Sequence, residues 1–186
     1  FATAPVASAT QTIALGHNAS ATFTNGMAIG TNASSSGGDG MALGFGATAF
    51  QASTCAVGEG AAATITNAIA LGVNSAASGS AAVCLGSGAS SDENNGIAIG
   101  TNAQCDGGGN NVVIGPTASI SSGAGTNCVV IGASSSAGYG DFKAVVIGSS
   151  SETTETHQIA IGSDLDATVV TSDVAYSVKM GNGATG

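Results

Sequence analysis

The chain has 186 residues, 30 of them glycine, and only two basic residues stand against eleven acidic ones, for a formal charge of −9. So little positive charge excludes a nucleic-acid partner, which would need cations to offset its phosphates, and no run of 18 apolar residues is present to span a membrane as a helix. With five Phe, two Tyr and no Trp, any core must be thin and lined with small side chains.

Residues 1–12 read as a lead-in or cap. From residue 13 the chain repeats one phrase, an apolar triplet ending in glycine: Ile13-Ala14-Leu15-Gly16, Met27-Ala28-Ile29-Gly30, Met41-Ala42-Leu43-Gly44. The glycines recur at 58, 72, 86 and 100 in steps of 14, then at 115, 132, 148 and 162 in steps of 15, 17, 16 and 14. Fourteen residues are too few for a helical repeat. They suit two short strands and two tight turns, so the spacing predicts an all-β parallel solenoid whose rungs rise about 4.8 Å each. Asn18, Asn32, Gly46, Gly60, Asn74, Gly88 and Asn102 fall two places after the phrase glycines. Asn and Gly accept positive φ most readily, and a first turn is predicted there. Asn25, Asp39, Asn67 and Asn95 mark a second turn of more variable length, where insertions should enter.

Side chains alternate across a strand. The triplet is expected to point its flanking Ile, Leu or Met inward, against the alanines of the second strand (Ala19-Ser20-Ala21, Ala33-Ser34-Ser35). The middle column would then face out: Ala14, Ala28, Ala42, Ala56, Ala70, Cys84, Ala98, Val113, Val130, Val146 and Ala160. So long an apolar stripe predicts an interface between copies of the chain.

Three insertions break the regularity between 101 and 148: CDGGGNN, SISSGAGTN and SAGYGDFKA. Loops on a solenoid often gather on a binding face. The last one offers Tyr139, Asp141, Phe142 and Lys143 as a binding loop; the alternative is that its aromatic rings cover a coil edge. Phe23, Phe45 and Phe50 sit at turns, where they would seal the space between chains. The four cysteines lack a C-x-x-C pair, which argues against zinc. Buried free thiols and a Cys105–Cys128 bridge are both open. His17 and His157 lie too far apart for a catalytic set, no phosphate loop or carboxylate pair is recognisable, and no metal or cofactor is expected. Asn18-Ala-Ser20 and Asn32-Ala-Ser34 match the glycosylation acceptor pattern, though turn duty should occupy both asparagines.

Phrases such as MAIGTNASSSGGDG and IALGVNSAASGSAA, in tandem over residues 13–162, resemble the head domains of trimeric autotransporter adhesins, the Yersinia collagen-binding adhesin among them; related rolls occur in viral and phage fibres. The resemblance implies a left-handed parallel β-roll in a side-by-side homotrimer, exposed outside the cell or on a virion surface. Its role would be non-enzymatic attachment to a host surface protein or glycan. Residues 163–186 would be a C-terminal cap or neck-like segment, although Asp164, Asp166 and Asp173 stand where the family's neck is basic. Two other functions are weighed. One is a structural spacer in a surface fibre. The other is an ice-binding solenoid, suggested by the Ser20, Ser34, Thr48 and Ser90 column and weakened by Ala62, Ala76 and Gln104 within it.

Overall fold

The computed structural model describes residues 4–121, 123, 125–138, 143–154, 157–164 and 177–181. Every regular element among them is a strand of two to four residues. The chain divides into two compact units, residues 1–92 and 93–186.

In the first unit the apolar triplets Ile13–Leu15, Met27–Ile29, Met41–Leu43, Cys55–Val57, Ile69–Leu71 and Val83–Leu85 are strands of one sheet. Neighbours pair in parallel with a 14-residue offset, Ile13 beside Met27 and Ala28 beside Ala42. The two-residue strands Val6–Ala7, Ser20–Ala21, Ser34–Ser35, Thr48–Ala49, Ala62–Ala63, Ala76–Ala77 and Ser90–Ser91 belong to a second parallel sheet, with Ser20 beside Ser34 and Ser34 beside Thr48. The second unit repeats the plan. Ile97–Ile99, Val112–Ile114, Val129–Ile131, Val145–Ile147, Gln158–Ile161 and Ser177–Met180 follow one another in one sheet. Gln104–Cys105, Ser119–Ile120, Ser136–Ala137 and Glu152–Thr153 form the other. Each unit is therefore a parallel β-solenoid. Strand bonds run from rung to rung, so no coil is stable without its neighbours.

The phrase glycines are a steric requirement. Gly16 sits at φ +130° and Gly58 at +132°, where L side chains are strained, and a Cβ on either would lie 2.6 Å from the carbonyl oxygen of Gly30 or 2.5 Å from that of Gly72. The turn residues behave as expected: Asn18, Asn32, Asn74 and Asn102 in the first turn, and Asn25, Asp39, Asn67 and Asn95 in the second, all have φ between 53° and 63°. Backbone bonds close these turns, as in Ala33 N to Gly30 O at 3.2 Å and Gly40 N to Gly37 O at 3.2 Å. The length changes all fall in the second turn, between Cys105 and Val112, Ile120 and Val129, and Ala137 and Val145.

The faces of the triplet strand are the reverse of the expectation. Ala28, Ala42, Ala56, Ala70 and Cys84 are completely buried within the first unit, and Ala98, Val113, Val130, Val146 and Ala160 within the second. Ala14, in the first triplet, is half-buried and packs on the same core. This column is the interior of the coil and cannot form an interface between copies. The reason is width. One coil turns Ala28, Ala33, Ser35, Gly37 and Gly40 inward, and Ser35 Oγ donates to the Gly40 carbonyl at 2.9 Å, so the enclosed space is filled by methyl and hydroxymethyl groups alone. A Leu or Met has no room there and must point out. The alanines of the second strand do face inward as expected, with Ala19, Ala21, Ala47 and Ala49 buried. Larger interior groups occur in the second unit, where Val113 and Ile120 share a lengthened coil, residues 112–128.

Candidate functional site

With the alanines inside, the outer face of the triplet sheet carries two parallel columns of large apolar side chains. In the first unit these are Ile13, Met27, Met41, Cys55, Ile69 and Val83, and beside them Leu15, Ile29, Leu43, Val57, Leu71 and Leu85. None is fully buried; Leu15 is 63% exposed and Met41 and Leu43 are each 38% exposed. The second unit presents the same pattern with Ile97, Val112, Val129 and Val145 beside Ile99, Ile114, Ile131 and Ile147. Alternation on a pleated strand dictates this placement once the middle residue is committed to the interior. Sequence reasoning had placed these flanking columns inside the coil.

The outer face of the other sheet differs in chemistry. Ser20, Ser34, Thr48, Ala62, Ala76 and Ser90 are half-buried and project outward between buried neighbours. Ser34 Oγ lies 3.2 Å from Ser36 Oγ. Phe23, Phe45 and Phe50 are exposed at or near the turns, away from the interior.

The turns carry a register device. Asn18 Nδ2 donates to Asn32 Oδ1 at 2.9 Å and Asn25 Nδ2 to Asp39 Oδ1 at 2.7 Å, and in the second unit Asn95 Nδ2 donates to Asn110 Oδ1 at 3.1 Å. Each pair joins equivalent positions of successive coils, so a one-residue slip would break it. Asn18 and Asn32, the glycosylation-pattern residues, are both engaged in this way.

Of the expected binding loop, Tyr139, Asp141 and Phe142 lie outside the described residues. Lys143 is exposed at φ +58°, and its backbone N–H donates to the Thr126 carbonyl at 3.1 Å. None of the four cysteines is in a disulfide, so the Cys105–Cys128 bridge is not formed. Cys84 turns into the coil, which removes it from any contact with its own copies. Cys55 is half-exposed on the outer columns, where an inward position was expected for it. Cys105 faces inward. Among the described residues no three His, Cys, Asp or Glu side chains gather as a metal site, and no helix is long and apolar enough to cross a membrane.

Each unit is thus a parallel β-solenoid of roughly 14-residue coils with an apolar outer sheet face. Comparison with known families agrees: the YadA head domain repeat matches residues 7–33, 52–75 and 77–103. The resemblance drawn from the phrases and this match coincide over these segments. No curated protein matches the chain.

Proposed function

We propose that this chain is a non-enzymatic head segment of a trimeric surface fibre, displayed outside the cell, that attaches its bearer to a protein or glycan on a host surface. The observation that carries the proposal is the double column of Ile, Leu, Met and Val on the outer face of the triplet sheet. Large contiguous apolar patches on soluble proteins mark interaction sites. A regular patch with one large side chain per rung in each column fits a second copy of the same regular surface. Packing three chains through these columns withdraws the apolar face from water and leaves the Ser- and Thr-bearing sheet and the turns for recognition. The acidic exterior favours polar or glycan contacts over anionic targets.

Light scattering on the intact chain tests the assembly. The expected molar mass is three times the 17.3 kDa of one chain, and Leu43→Asp should return a folded monomer, because a carboxylate in an apolar contact is costly. A wild-type monomer at micromolar concentration refutes the assembly. Binding of the trimer to a glycan array and to immobilised extracellular-matrix proteins then separates an attachment head from a spacer, which would bind neither.

A further inference from the structure

We propose that Asn95 is a site of spontaneous covalent modification, deamidation through a succinimide formed with Gly96, and that the equivalent Asn25–Gly26 pair in the first unit is held back by Asp39. The two pairs occupy the same second turn, with Asn95 at φ +56° and Asn25 at φ +58°, and both asparagines are exposed. Every other described asparagine in this conformation is followed by Ala, Ser, Asn or Cys, whose Cβ crowds the approach of the backbone nitrogen. Only glycine leaves that nitrogen open.

The reaction needs only water. The Gly96 nitrogen attacks Asn95 Cγ; the N–Cγ bond forms, the Cγ–Nδ2 bond breaks, and ammonia leaves with the glycine amide proton. Water then opens the ring at either carbonyl, giving aspartate or isoaspartate. As the nitrogen attacks, negative charge grows on Asn95 Oδ1. Its partner is the neutral amide of Asn110, 3.1 Å away, which can rotate its NH2 toward that charge. At Asn25 the partner is the carboxylate of Asp39, 2.7 Å from Nδ2, and the growing charge meets a like charge. One screened contact between unit charges at about 4 Å in water corresponds to roughly a fivefold rate difference. The turn bonds act in the same direction: Gly26 N donates to Phe23 O at 3.0 Å, whereas Gly96 N donates to Glu93 O at 3.2 Å. An aspartate at position 95 suits the turn, because Asp39 and Asp164 already hold φ 56° and 54°. An isoaspartate lengthens the coil backbone by one carbon and breaks its match to the neighbouring rungs.

The test is peptide mapping by mass spectrometry of the full chain held at pH 8 and 37 °C for several weeks, with a sample in urea as the unfolded reference. Expected are a one-dalton gain at Asn95 about five times faster than at Asn25, equal rates at the two sites in urea, and a rise of Asn25 to the Asn95 rate in Asp39→Ser, a residue that the equivalent position of the next coil, Ser53, already holds at φ 56°. The proposal is overturned if Asn95 in the folded chain gains mass no faster than Asn25, or if Asp39→Ser leaves the Asn25 rate unchanged. Asn95→Gln removes the site without changing the backbone length and should abolish the mass gain there.

Discussion

Asn111 accepts a hydrogen bond at 2.8 Å from the backbone N–H of Cys128, 17 residues further along the chain, and its own Nδ2 donates to the Gly125 carbonyl at 3.2 Å. The side chain is completely buried. It occupies the inward position just before a triplet, where the coils of the first unit place Gly, Ala or Thr, and it ties the insertion of the next coil back to its own. Asn111→Ala takes the acceptor from the Cys128 N–H, while the Gly125 carbonyl keeps its bond from the Gly108 N–H at 3.1 Å. The expected loss is about 1–3 kcal/mol, read from a urea denaturation midpoint together with faster hydrogen exchange at Cys128. Asn111→Asp should be at least as damaging, since a carboxylate cannot donate to Gly125 and is costly to bury. Unchanged exchange at Cys128 in both variants would show that the insertion holds itself.

The reversal of faces predicts opposite behaviour at adjacent residues. Ala42 is completely buried and Leu43 is not. Ala42→Leu forces a large side chain into a space bounded by backbone, a kind of overpacking that costs about 1–3 kcal/mol even in cores able to adjust. This interior has only small side chains to yield, so the upper end or beyond is expected, with loss of the β-sheet circular dichroism of the first unit. Leu43→Ala should keep the fold and weaken only self-association. A folded Ala42→Leu with an unchanged denaturation midpoint would contradict the assigned interior.

Cys55 sits on the outer column, and burial pushes its thiol above the ordinary thiol range. The folded chain therefore holds this proton more tightly than the unfolded chain does. Below about pH 8.5, the free thiol value, both states are protonated and the group has no effect on stability. Above it the unfolded state ionises first, so stability falls as pH rises. Denaturation midpoints at pH 8 and pH 10 should drop less in Cys55→Ser than in the wild type; equal drops would remove the effect. Alkylation of the native chain at pH 8 should label Cys55 alone, since Cys84, Cys105 and Cys128 are buried.

The period, the parallel pairing and both turns were legible in the sequence, because each depends on a local requirement. Gly16 and its equivalents must accept a close carbonyl, and Asn18 and Asn25 must accept positive φ. The orientation of the triplet was not legible, because Ile13-Ala14-Leu15 is apolar on both faces and alternation alone does not choose between them. Coil size makes that choice. The available sign was the uniform smallness of all five inward positions in a coil such as Ala28, Ala33, Ser35, Gly37 and Gly40, which leaves no cavity for Ile or Leu to enter. The Val at 113, suggestive of an outer apolar contact, instead accompanies Ile120 in a longer coil with a wider interior. Asn111 was hidden for another reason: its partners belong to an insertion whose path no repeat dictates.

Bonding from each rung only to the rungs before and after makes coil number a free variable. Within the first unit Ile69 pairs with both Cys55 and Val83 across identical offsets, and Ala76 does the same with Ala62 and Ser90. Excising residues 69–82 would bring Cys55 beside Val83 with the same strand geometry and a glycine still in every first turn. Adding or removing a whole coil therefore changes the length of a unit in steps of about 4.8 Å. Length can thus vary by duplication of a coil, without redesign of a core.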